Sequence, residues 1–522
     1  MRAFKLGTEG CIYNNRRKPN MNKTEFAVSQ MFSDHMVLQR DKKIEVWGTG
    51  INGKAVQAEI AGQQVETTVT DGRWSLYLEP IAAGGPYEMC VTCENESKTF
   101  QDVLVGEVWL AGGQSNMELE LINSENGADQ VKAADHELLR FYNVVKTGVL
   151  TDAVLAQQEK QLWKVCTPEQ AGDVSAVAYF CARRLQEELQ VPVGVIDCYI
   201  GGTSVTCWMD NDTLSRTEEG RGYIRRYAEQ IGDKTEEEYQ AEMTEYNRQW
   251  KTWDDGVQAE RAKNPDVTWE YLNEHVGICP WPQPAGLTSN FRPTNPYYGM
   301  MERVIPYTLR GFWYYQGEED TYLPEAYGIL MESLIGCWRE KWGEADAPFV
   351  LTQLPMYIAN HEADDRNWAR LREQQAKIAE QIPNTYMNVL IDCGEFDNIH
   401  PTDKLTVGDR MAALCLEHVY GRPCHADGPK MQTVAGEDAQ VRVTFSGQPL
   451  QVKGMEIALF ELAGADETYY PAQAELCGEH EVIVHSAEVS APQYIRYAYT
   501  NFGKVTLFDN YGLPVAPFRR GL

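Results

Sequence analysis

Val105 to Met117 reads Val-Gly-Glu-Val-Trp-Leu-Ala-Gly-Gly-Gln-Ser-Asn-Met. The apolar run Val108–Ala111 is the pattern of a buried strand. It stops at Gly112-Gly113, and Gln114, Ser115 and Asn116 follow at the turn. A strand that ends in glycines and then presents a serine puts a hydroxyl at the carboxyl edge of a sheet. Open α/β sheets carry their chemistry at that edge. Ser115 is therefore a candidate nucleophile.

Toward the C-terminus, strand and helix patterns alternate. Val174 to Leu189 has the apolar spacing of a helix with one buried face. Pro192 ends it, and Val193–Ile200 reads as a continuous buried strand closed by Gly201-Gly202-Thr203. Leu309–Tyr315 is another strand, ending in Gln316-Gly317-Glu318-Glu319-Asp320. Helices are expected at about 325–342, 368–382 and 405–419, with strands at Phe349–Gln353 and Met387–Asp392. Such alternation implies a parallel sheet covered by helices. Residues 211–290 interrupt it with a charged, aromatic helical insertion containing Trp250, Trp253, Trp269 and Tyr271.

Both flanks have period-two patterning. Lys43–Trp47, Val56–Ile60 and Val65–Val69 alternate, and Asp71-Gly72 is a hairpin turn signal. The same alternation returns in Val441–Phe445, Glu481–His485, Tyr494–Thr500 and Val505–Phe508. The expected division is a disordered leader at 1–25, a β-sandwich at 26–104, an α/β domain at 105–422 and a second β-sandwich at 423–522. Met21 is an alternative start to Met1.

Of the 522 residues 43% are apolar and 24% charged, and the net charge is −29. This is a globular composition whose surface repels phosphate backbones, so nucleic acid is excluded as a partner. No stretch approaches the roughly 20 apolar residues of a membrane helix, and the first 20 residues lack a secretion core, so the expectation is a cytoplasmic protein without a membrane partner. Thirteen scattered cysteines suit free thiols in a reducing compartment. Cys90 and Cys93 lie in a strand without a second pair, and no metal site is expected.

Three strand ends and one loop bring chemistry-bearing residues together: Gln114-Ser115-Asn116, Gly201-Gly202-Thr203, Gln316-Gly317-Glu318, and the loop Asp397-Asn398-Ile399-His400. They supply the parts for acyl transfer. A serine hydroxyl needs an imidazole to take its proton, which is the role of His400. Asp397, three residues earlier, is placed to orient the ring. Backbone N–H groups at Ser115 and at Gly201 or Gly202 are candidate oxyanion donors, with the Gln316 amide as a third.

These blocks resemble the SGNH hydrolase superfamily and, within it, the sialate O-acetylesterase-like family. The resemblance also rests on Val37-Leu-Gln-Arg40 with Val46-Trp-Gly48, on Trp208, on Trp313–Glu318, on Ile399-His-Pro401 and on Tyr511–Arg519. It implies a flavodoxin-like three-layer α/β/α sandwich and a cofactor-independent serine esterase acting on acetylated mono- or oligosaccharides. It carries over Ser115 as nucleophile, His400 as base and Asp397 as orienting acid. Many superfamily members have an asparagine as oxyanion donor where this chain has Gln316-Gly317-Glu318, which leaves open whether Gln316 donates or Glu318 acts as an accessory acid.

Sialic acid and acetylated hemicellulose fragments both fit this chemistry. A sialate would call for a cationic partner, for which Arg292 is the candidate. The competing classes are a non-catalytic carbohydrate-binding protein and a lipid or thioester hydrolase.

Overall fold

The computed structural model describes residues 25–264, 267–360 and 362–522. The expected leader and the choice between Met1 and Met21 lie outside these residues, apart from Glu25. The centre is a sheet of seven strands along one path, here β1 (Glu96–Gly113), β2 (His136–Asn143), β3 (Lys164–Cys166), β4 (Val193–Tyr199), β5 (Gly311–Tyr315), β6 (Phe349–Thr352) and β7 (Thr385–Asn388). Their order is β3-β2-β4-β1-β5-β6-β7. All neighbours are parallel except β3, which pairs antiparallel with β2 at the edge. The chain leaves β1 toward the β4 side and later resumes on its other side with β5. Ser115 thus follows the strand where the connections diverge, the crevice position of open α/β sheets.

Side-chain pattern explains the elements. Every residue of β4 and β5 is buried, as expected for strands covered on both faces. The expected helix before β4 is Ala176–Leu189. Ser175 caps it by accepting from Ala178 N, and Gln190 ends it in the left-handed region. Helices Pro324–Trp342, Asn367–Gln381 and Lys404–Leu414 match the remaining expectations within a few residues.

The N-terminal strands do not separate from this sheet at residue 104. Strand β1 is continuous for 18 residues. Its first half pairs with Gly84–Cys93, which in turn pairs with Ala55–Ile60, while Val37–Gln39 runs parallel beside its middle. A separate three-stranded sheet is formed by 27–28, 44–49 and 73–78. The buried Glu107 carboxylate fastens the two parts. It accepts from Arg40 Nε at 2.5 Å, from Arg310 Nε at 2.8 Å and from Gln39 Nε2 at 3.1 Å. Burial pushes its pKa up, but the Arg310 and Arg40 hydrogen bonds outweigh burial and leave it below the usual value.

Beyond 430 the chain forms β-sheets of four, two and four strands around an apolar core that includes Val443, Leu462, Val484 and Ile495. Residues 211–290 are mainly helical, with helices at Glu218–Ile231, Glu236–Lys263 and Trp269–His275. Within them Trp253 stacks on Trp269 at 6.3 Å, whereas Trp250 is 41% exposed. The twelve described cysteines are all free. No helix among the described residues is long and apolar enough to cross a membrane.

Candidate active site

Main-chain pairing sets the position of Ser115. Gly113 pairs with Tyr199 of β4 and with Tyr315 of β5. Its φ is 134°, and a Cβ there would lie 2.1 Å from the Tyr315 carbonyl oxygen. Only glycine fits this close approach. The chain then turns into the short helix Ser115–Glu118; the Gln114 carbonyl accepts from Met117 N and Glu118 N at 2.9 Å, while the N–H groups of Ser115 and Asn116 lie at the helix start, ahead of any helical acceptor.

His400 comes from the loop between β7 and the helix Lys404–Leu414. Its Nε2 is 2.8 Å from Ser115 Oγ. The loop is held by its own side chains: Asn398 Oδ1 accepts from His400 N at 3.0 Å, and Glu395 Oε1 accepts from Thr402 N at 2.7 Å. Burial, reinforced by the Lys404 charge, pulls the His400 pKa down to about 4. The ring is therefore neutral at pH 7 and able to accept a proton.

The other expected site residues are placed differently. Asp397 is buried in the left-handed region at φ 56°. Its carboxylate accepts from Asn360 N at 3.0 Å and from Asn273 Nδ2 at 3.1 Å. Among the described residues no hydrogen bond joins it to His400; its bonds tie its own position to Asn360 and to Asn273 of the insertion. Gln316 Nε2 faces Gln114 Oε1 at 3.1 Å, the Thr203 carbonyl at 3.1 Å and Asp320 Oδ2 at 2.6 Å. Three acceptors engage both amide hydrogens, so Gln316 braces three strand ends and has none left for an oxyanion. Glu318 is buried, which raises its pKa, and it bonds Asn116 rather than His400. The Gly201 N–H is bound by the Glu118 carboxylate, which is also paired with Lys146 at 2.5 Å. Among the described residues, the N–H groups of Ser115 and Gly202 have no hydrogen-bond acceptor. Arg292 donates to the Leu287 carbonyl at 3.2 Å.

Asn116 has a role that its place in the motif did not disclose. Its Nδ2 donates to Glu318 Oε1 at 2.5 Å and to the Ile399 carbonyl at 2.9 Å, and its Oδ1 accepts from the buried Lys404 at 2.7 Å. One amide thus ties the turn of Ser115, the end of β5 and the loop of His400. Its position beside Ser115 was a signal; Lys404, 288 residues away, gave none.

Comparison with known proteins gives concordant results. Residues 217–417 match the family described as carbohydrate esterase, sialic acid-specific acetylesterase. The rat sialate O-acetylesterase is 24% identical over 518 residues, covering 91% of this chain and 90% of that protein. The human one is 24% identical, covering 84% of this chain and 80% of its own length. A carbohydrate acetylesterase from Xanthomonas citri has a crystal structure that superposes with a TM-score of 0.74 at 29% identity, covering 95% of this chain and 99% of that one. The chain is accordingly a carboxylic ester hydrolase that is similar to carbohydrate esterases. The proteins it resembles include the sialate O-acetylesterases of rat and human.

Proposed function

We propose that the protein removes O-acetyl groups from carbohydrates through an acetyl-serine intermediate, with Ser115 as nucleophile and His400 as general base. The observation that carries this reading is the 2.8 Å contact between His400 Nε2 and Ser115 Oγ. His400 takes the hydroxyl proton as Oγ attacks the acetyl carbonyl. The carbonyl oxygen becomes an oxyanion facing the N–H groups of Ser115 and Gly202, each worth about 3–4 kcal/mol in such sites. Collapse expels the sugar oxygen, which takes the proton from the imidazolium. Water repeats the sequence on the acetyl-serine and releases acetate. Asp397 orients His400 by shaping its turn, and Asn116 holds that turn against the nucleophile. No step calls for a metal or a cofactor.

The strand order around β1 supports the flavodoxin-like, three-layer reading of the α/β part. The free thiols suit a reducing, cytoplasmic setting.

Two substrate readings remain distinct. Sialic acid is named in the relatives, and its carboxylate would require a cation. Arg292, which donates to the Leu287 carbonyl, is the candidate for that cation; neutral acetylated sugars such as xylan, mannan or xyloglucan fragments need none. Acetate release from those fragments and from acetylated sialosides, with Ser115→Ala as control, is the test. Release from at least one sugar, lost in the variant, is the expected result; none from any sugar contradicts the proposal.

A further inference from the structure

Gly202, which carries one of the proposed oxyanion N–H groups, faces a tryptophan. A Cβ on Gly202 would lie 2.1 Å from the ring of Trp281 and 3.1 Å from that of Phe291. The neighbouring Gly201 brings this corner to the nucleophile, since a Cβ there would lie 3.3 Å from Ser115 Cβ. Trp281 is nevertheless 48% exposed. An indole with one edge against the catalytic glycine and much of its surface open to solvent has the form of a platform. Phe291 supports it edge-on at 5.4 Å and 89°.

The segment that carries Trp281 is not a loose loop. Trp253 Nε1 donates to the Gly277 carbonyl at 2.8 Å, and Tyr246 Oη donates to the Pro280 carbonyl at 2.9 Å. Lys234 Nζ and Tyr227 Oη bond the carbonyls of Ala285 and Gly286 at 3.0 and 3.2 Å. The helices of the insertion thus pin the backbone on both sides of the ring. Glu319 stands close by, and the Trp281 indole favours the ionised form of its carboxyl. Glu319 is held in place by its backbone N–H, which donates to Gln114 Oε1 at 3.4 Å. Burial, with Asp320 nearby, outweighs the indole and raises the Glu319 pKa to about 8.

Resting on the function proposed above, we propose that Trp281 and Glu319 form the sugar subsite: the pyranose ring bearing the scissile acetyl group stacks on the Trp281 face, and the Glu319 carboxyl hydrogen-bonds one of its hydroxyls. Aromatic faces bind the apolar face of a sugar ring, while a few placed polar groups fix its orientation. The insertion then selects for a ring. An acyclic acetate ester reaches Ser115 without using the platform.

The test compares kcat/KM for acetylated xylo-oligosaccharides, or for an O-acetylated sialic acid if the wild type prefers it, with that for ethyl acetate. Trp281→Ala is expected to lower the sugar-to-ethyl-acetate ratio by at least 10-fold, mainly by raising KM for the sugar. Trp281→Phe should recover part of the loss. Glu319→Leu should lower the ratio more than Glu319→Gln, which keeps a donor and an acceptor. An unchanged ratio in Trp281→Ala and Glu319→Leu, or an equal loss on both substrates in every variant that retains the wild-type unfolding temperature, overturns the subsite and leaves the esterase reading intact. A wild type that cleaves ethyl acetate but no acetylated sugar overturns both.

Discussion

The strand end that carries Ser115 and the loop that carries His400 meet at 2.8 Å but are built by different means. The serine follows a strand paired on both sides through Gly113, so main-chain hydrogen bonds fix its place. The histidine lies on a turn whose shape depends on the side chains of Asn116, Glu395, Asp397 and Asn398. The proposed nucleophile is thus positioned by the fold and the proposed base by a polar network. Substitutions around the base should therefore produce graded losses, whereas those at the two reacting residues should be all or nothing.

The largest effect is expected from the reacting residues themselves. Ser115→Ala and His400→Ala should each lower kcat for 4-nitrophenyl acetate by roughly 10⁴-fold or more, and the double variant by little beyond either, because the pair acts as a unit. Additive losses would break the comparison at its root.

Asn116→Ala comes next. It deprives the buried Lys404 and Glu318 of their partner and frees the Ile399 carbonyl. Loss of stability on the order of 2–4 kcal/mol is expected in urea titration, together with a fall in kcat of about 10²-fold. Full activity in a folded Asn116→Ala would show that the network does not place the base.

Asp397→Asn sharpens the point. An acid that hydrogen-bonds the ring costs about 10⁴-fold when replaced by its amide. A residue that acts by shaping the turn, as the bonds to Asn360 and Asn273 indicate, should cost only about 10-fold in kcat.

The smallest effect lies in the pH profile. Because burial and Lys404 hold the His400 pKa down to about 4, the acidic limb of kcat/KM should fall well below the usual imidazole value near 6.5. The unfolded chain takes up this proton near 6.5, so stability should decline as pH drops from about 6.5 to 4 and not recover below that. An acidic limb at 6.5 would place the ring in contact with water.

Much of this was legible in the sequence because it depends on local pattern. Val193–Tyr199 is apolar throughout and is a strand buried on both faces. Ser175 and the spacing after it specify the helix that precedes it. The expected boundary at 104 reflects a real change, from the exposed 96–99 to the buried 103–113, but the change occurs inside one strand as it passes from one packing environment to another. The bonds of Gln316 and Asp397 depend on partners brought together only by the tertiary fold, as in the 202-residue separation of Gln316 from Gln114. Trp281 sits among prolines with no periodicity to betray its position.

The central claim is that Ser115 is the atom donor to the acetyl group. Treatment with a 4-nitrophenyl phosphonate followed by peptide mass spectrometry tests it directly. The account predicts a single stoichiometric adduct on the peptide containing Ser115, formed in step with loss of acetate release and strongly slowed in His400→Ala. An adduct on another residue, or undiminished activity in fully labelled protein, would contradict it.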